Sequence, residues 1–117
     1  MRLDSSTLCL FLALIGLFWA IPARADTWAG YSDSQIASAI YLAEGGAKTR
    51  FPYGIKSIKC DTKEECRQIC LNSIKNAKKR WIKAGKPEDF IVFMGRRYSP
   101  PNINPNWVRL VKFFLSK

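Results

Sequence analysis

The sequence contains no histidine. That absence removes the Ser-His-Asp triad, the Cys-His nucleophile pair and any Cys/His zinc site. Acidic residues are also scarce, 9 against 19 basic ones. No carboxylate occurs between Asp33 and Asp61 except Glu44. Enzymatic options therefore narrow to chemistry that one carboxyl group can perform, and no metal or organic cofactor is expected. Long apolar runs are lacking beyond the first stretch, so no second segment has the length of a membrane span.

That first stretch has the pattern of an export signal. Arg2 gives a positive start, Leu8 to Ile21 is almost wholly apolar, and Ala23-Arg24-Ala25 has the small-x-small form of a cleavage site. Residues 1–25 are read as a cleaved signal peptide and 26–117 as one small domain with a modest core. Localisation is expected to be the periplasm or the extracellular space. The domain keeps 17 basic and 8 acidic residues. Such an excess suits an anionic partner: wall polymer, acidic polysaccharide, membrane surface or nucleic acid. Export argues against nucleic acid.

Cys60, Cys66 and Cys70 follow the signal segment, an odd number in a compartment that permits disulfides. If a helix begins near Thr62, Cys60 lies within reach of Cys66 and a turn or more short of Cys70. The pairing favoured is Cys60–Cys66 with Cys70 as a buried thiol; Cys70 is the alternative partner.

Four helices follow from periodicity and caps. Ser32 and Gln35 form a capping box ahead of Ile36, Ala39, Ile40 and Ala43, and Gly45-Gly46 closes that helix. Phe51-Pro52-Tyr53-Gly54 is a turn signature, and the alternation after it predicts a short extended segment or hairpin near 52–59. Asp61 or Thr62 caps a long helix whose apolar face is Cys66, Cys70, Ile74, Ala77 and Trp81, ending near Ala84-Gly85. Glu88-Asp89 opens a third helix, expected to stop at Gly95. Prolines 100, 101 and 105 predict an irregular loop from Arg96, and Asn106 is expected to cap a last helix. Segments 45–59 and 95–106 are the two loops with functional character.

Glu44 ends the first helix beside two glycines, where a carboxyl group can be partly desolvated and so protonated near neutral pH. A helix running into Ala43-Glu44-Gly45-Gly46, then Tyr53-Gly54-Ile55, then a long helix with Asn72, then Arg97-Tyr98-Ser99-Pro100 before a final helix, resembles the lysozyme-like superfamily. It is most similar to small exported lytic transglycosylases, over residues 34 to 115. The resemblance implies a mainly α, single-domain lysozyme-like fold with Glu44 as catalytic acid. It places a cleft-lining segment at Gly54-Ile55-Lys56-Ser57, with Lys56 and Ser57 where the family has Met-Gln. Tyr98-Ser99 stands where the family has Tyr-Asn. Tyr53, Gly54, Ile55, Ser57, Asn72, Arg97 and Tyr98 are the expected substrate-binding residues.

The implied substrate is the peptidoglycan glycan strand, cut between MurNAc and GlcNAc by a monomer with no stable membrane insertion. Hydrolysis by the usual routes needs two flanking carboxylates, and Asp33, at the far end of the same helix, is about 15 Å from Glu44. One carboxyl suffices where the muramic 6-hydroxyl is the nucleophile. The competing expectation is a non-catalytic cationic wall-binding or antimicrobial protein on the same scaffold. Direct membrane disruption is a third.

Overall fold

The computed structural model describes residues 27–56 and 59–117. Ser57, Ile58 and the signal-like segment 1–25 lie outside them. The described chain is mainly helical: α1 (Asp33–Ala43), α2 (Lys63–Lys83), α3 (Phe90–Tyr98) and α4 (Trp107–Leu115), with short 3-10 turns at Gly46–Lys48 and Pro52–Gly54. No strand occurs among the described residues. The hairpin expected near 52–59 is absent as far as Lys56. Ile55 has extended dihedrals, but Gly54 and Ile55 return their N–H groups to Phe51 and Pro52. A strand would have needed those donors for a partner.

The caps explain where the helices start. Ser32 Oγ accepts from Gln35 N while Gln35 Oε1 accepts from Ser32 N, the full capping box. Thr62 Oγ1 accepts from Glu65 N, and the Glu65 carboxylate reaches back to Asp61 N. Glu64 and Glu65 sit in the first turn of α2, Arg80 and Lys83 in the last, as the helix dipole favours. Asp89 caps α3 through Val92 N. Asn106 takes the N-cap position of α4, as expected, though not through its side chain. Asn106 makes no capping bond, and Asn104 Oδ1 accepts from Asn106 N instead.

The Cys60–Cys66 disulfide is present, with the two Cα atoms 5.3 Å apart, and it fastens the chain entering α2 to its first turn. Cys70, one turn on, is a buried free thiol. The core is the stripe Cys66, Cys70, Ile74, Ala77 and Trp81 of α2, met by Ile36, Ala37, Ala39 and Ile40 of α1, Phe90, Ile91 and Met94 of α3, and Trp107 and Val111 of α4. Partly buried ion pairs close its rim: Lys78–Asp33 at 2.7 Å and Lys112–Asp89 at 2.9 Å. Trp28 stacks on Tyr31 and lies under Lys112, holding the segment before α1 against the domain.

Gly95 does not end α3, which continues through Arg96 and Arg97 to Tyr98. The glycine serves packing instead. A methyl group there would stand 3.0 Å from two ring carbons of Trp107 and 3.2 Å from Val108. Trp107 is wholly buried, so its ring can give way only by moving the residues packed around it. Gly95→Ala is therefore expected to destabilise the fold by about 1–2 kcal/mol, overpacking outweighing the helix propensity gained. Denaturant melts of the two proteins measure it; equal midpoints would show that α3 and α4 do not meet this closely.

Candidate active site

α1 delivers Glu44 as its C-terminal cap, with Glu44 N donating to Ile40 O at 2.9 Å. Gly45 follows at φ +109, a left-handed conformation that turns the chain out of the helix at once. Ten residues after Glu44 the chain returns at Gly54. A Cβ atom on Gly54 would lie 2.6 Å from both Cδ and Oε2 of Glu44. The carboxyl group thus rests directly on the glycine backbone, in a space only glycine leaves free.

Tyr53 and Tyr98 hold that return in place. Tyr53 has φ +61, an uncommon conformation for an aromatic residue, and its side chain is fully buried. Tyr98 Oη donates to the Tyr53 carbonyl oxygen. Arg67 Nη1 donates to Tyr53 Oη at 3.1 Å, while its Nη2 donates to Ser34 O and Oγ at the start of α1. The Tyr53 ring also packs on Tyr41, with centroids 5.1 Å apart. α1, α2 and α3 therefore all fix the peptide on which Glu44 lies. Tyr53, one of the expected substrate-binding residues, has a buried side chain.

The environment sets the acidity of Glu44. Burial pushes its carboxyl above the ordinary value of 4.5, opposed by the charge of Lys56 and by the Trp107 indole. Trp107 Nε1 is buried with no partner that satisfies hydrogen-bond geometry, so it acts on the nearby carboxylate as an incompletely aligned donor rather than a formed bond. Among the described residues, no second carboxylate is a cause of the shift at Glu44. Asp33 is occupied with Lys78. Beneath the site, burial pushes the Cys70 thiol up to about 11, against the opposing effects of the Tyr98 hydroxyl and Arg67. Cys70 is thus protonated and inert at neutral pH. Burial likewise pushes the Tyr98 hydroxyl above the usual phenol range.

A groove of about 680 Å³ adjoins this cluster, walled by Gly54, Ile55 and Lys56, by Ile69, Ser73, Asn76, Lys79 and Arg80 of α2, and by Met94, Arg97 and Tyr98 of α3. Glu44 is beside the groove rather than in its wall; Gly54 belongs to both. Four of the expected residues, Gly54, Ile55, Arg97 and Tyr98, share this wall. Asn72 does not: it is exposed and accepts from Gln68 Nε2. Ser57 lies outside the described residues.

Several groove residues escape a reading that looks only for apolar faces. Ile69, Ser73, Asn76 and Arg80 each precede a core residue, Cys70, Ile74, Ala77 and Trp81, by one position. They form a parallel stripe about 100° around α2. Trp107 reads as core from its periodicity, and nothing in its local sequence signals that it approaches a carboxyl group 63 positions away. The arrangement can hold one proton on a partly desolvated carboxyl beside an open cationic groove. The chain matches no family model, no curated protein and no solved structure.

Proposed function

We propose that the protein cleaves peptidoglycan glycan strands between MurNAc and GlcNAc as a lytic transglycosylase-like enzyme, with Glu44 as its single acid and base. The observation that carries this reading is the contact of the Glu44 carboxyl with the Gly54 backbone. Together with the raised pKa, it describes a fixed, partly desolvated acid at the margin of a groove. The order of elements on which the lysozyme-like resemblance rests supports the same reading.

In the reaction, protonated Glu44 gives its proton to the glycosidic oxygen as the C1–O bond breaks. The muramic 6-hydroxyl forms the new bond to C1 and passes its proton to the Glu44 carboxylate, restoring the acid. No water is consumed and the product is a 1,6-anhydro sugar. A second carboxylate, which hydrolysis requires to activate water or to act as nucleophile, has no counterpart near Glu44 among the described residues. Such a substrate lies outside the cytoplasm, in keeping with the export pattern of residues 1–25.

The test is the chemistry of the products. Digests of purified peptidoglycan are expected to release soluble muropeptides ending in 1,6-anhydro-MurNAc, identified by mass spectrometry. Fragments with only reducing ends would overturn the transglycosylase route in favour of hydrolysis. The cationic groove favours the second reading, a wall-binding protein without catalysis, and binding with no soluble fragments at all would establish it.

A further inference from the structure

Four cations meet in the groove wall: Lys56 from the turn after Gly54, Lys79 and Arg80 from α2, and Arg97 from α3. Among the described residues, no aspartate or glutamate lines it. Elsewhere the scarce acids are taken up by neighbours, with Lys59, Lys78, Arg96 and Lys112 each facing a carboxylate. Lys79, Arg80 and Arg97 have no ion-pair partner among the described residues, while the charge of Lys56 is felt by the Glu44 carboxyl. The contrast is sharpest at adjacent positions of α3. Arg96 makes two bonds to Glu88, at 2.7 and 2.8 Å, while Arg97 turns to the groove.

Like charges gathered on a concave wall repel one another and attract anions, and guanidinium groups match carboxylates in shape. Ser73 and Asn76 add neutral hydrogen-bonding groups between the charges. We infer that this groove is a subsite for the carboxylates of the peptide stem carried by the glycan, so that the protein engages stem-bearing strands in preference to bare ones. The inference rests on the peptidoglycan reading above. The stem fits because it hangs from the muramic sugar whose bond lies at Glu44, and the groove adjoins Glu44 through Gly54.

The experiment uses the full chain carrying Glu44→Gln, so that binding is read without cleavage. Binding to purified glycan strands is measured with stems intact, with stems removed by an amidase, and with stem carboxylates converted to amides. Intact strands are expected to bind roughly tenfold more tightly than either treated form, the sum of a few exposed ion pairs. Adding Arg80→Gln and Arg97→Gln should erase that preference. Free stem peptide should compete on the protein without the arginine substitutions, which keeps the inference testable should the variant fold poorly.

Equal binding to all three strand types would overturn the inference. So would competition by a glycerol-phosphate polymer but not by stem peptide, which would assign the groove to phosphate. The outcome is separate from that of catalysis: loss of cleavage without stem preference sinks only the subsite, and stem preference in a protein that releases no fragments sinks only the enzyme.

Discussion

Glu44→Gln is expected to lower peptidoglycan cleavage by about 10²–10⁴-fold, the usual contribution of a positioned general acid, while binding to the glycan is retained. Glutamine fills the same space on Gly54 but can neither give the proton to the leaving oxygen nor take one from the 6-hydroxyl. The same substitution has an opposite effect on stability. Because burial raises the Glu44 pKa, the folded protein holds this proton more tightly than the unfolded chain does. Stability is therefore complete below the unfolded-state value, near 4.5, and declines as pH rises through the folded-state value. The glutamine variant escapes that decline. Its melting temperature should exceed that of the wild type at pH 7, and the difference should close as the pH falls below about 4. Unchanged cleavage would remove Glu44 from the chemistry, and a pH-independent melting difference would mean that its carboxyl is not desolvated.

Gly54→Ala should cost about as much activity without touching an ionisable group. The new methyl would overlap the Glu44 carboxyl, 2.6 Å from Cδ, so the carboxyl must leave its seat. A displacement near 1 Å at a reacting group costs about 10²-fold. The residue also sits at φ +70, where a side chain adds about 1–2 kcal/mol of backbone strain. Gly85→Ala is the internal control. Gly85 has φ +84, and a methyl group there would meet nothing within 4 Å, so it carries the backbone penalty alone. Both variants should melt earlier, but only Gly54→Ala should lose activity. Equal activity in the two would mean that the Glu44–Gly54 contact does not position the acid.

The helices and most of their caps are legible in the sequence because they rest on local signals: the Ser32–Gln35 box, the Thr62 cap, the apolar stripe of α2 and the Gly45-Gly46 stop. Cys60–Cys66 follows from reach along a helix. Gly95 misleads because a glycine that stops a helix and one that admits a tryptophan from another helix look alike in one dimension. The hairpin reading after Tyr53 does not hold as far as Lys56 for a related reason, since alternation cannot reveal that the N–H groups of Gly54 and Ile55 are already used in a turn. At the site, Glu44 and Gly54 stand out through their neighbours in sequence. The roles of Tyr53, Arg67 and Trp107 depend on contacts between helices, which no spacing rule encodes. Arg96 and Arg97, indistinguishable as a pair of basic residues, are separated by Glu88, which takes one and leaves the other for the groove.

The central claim is that one carboxyl, resting on Gly54 and served by no second acid, performs both proton transfers with no water in the reaction. Digestion of purified glycan strands in oxygen-18 water, by wild type and by Glu44→Gln side by side, tests it most directly. The account predicts 1,6-anhydro ends without the heavy isotope from the wild type, and no fragments from a variant that still binds. Labelled reducing ends, or equal release by both proteins, would contradict it.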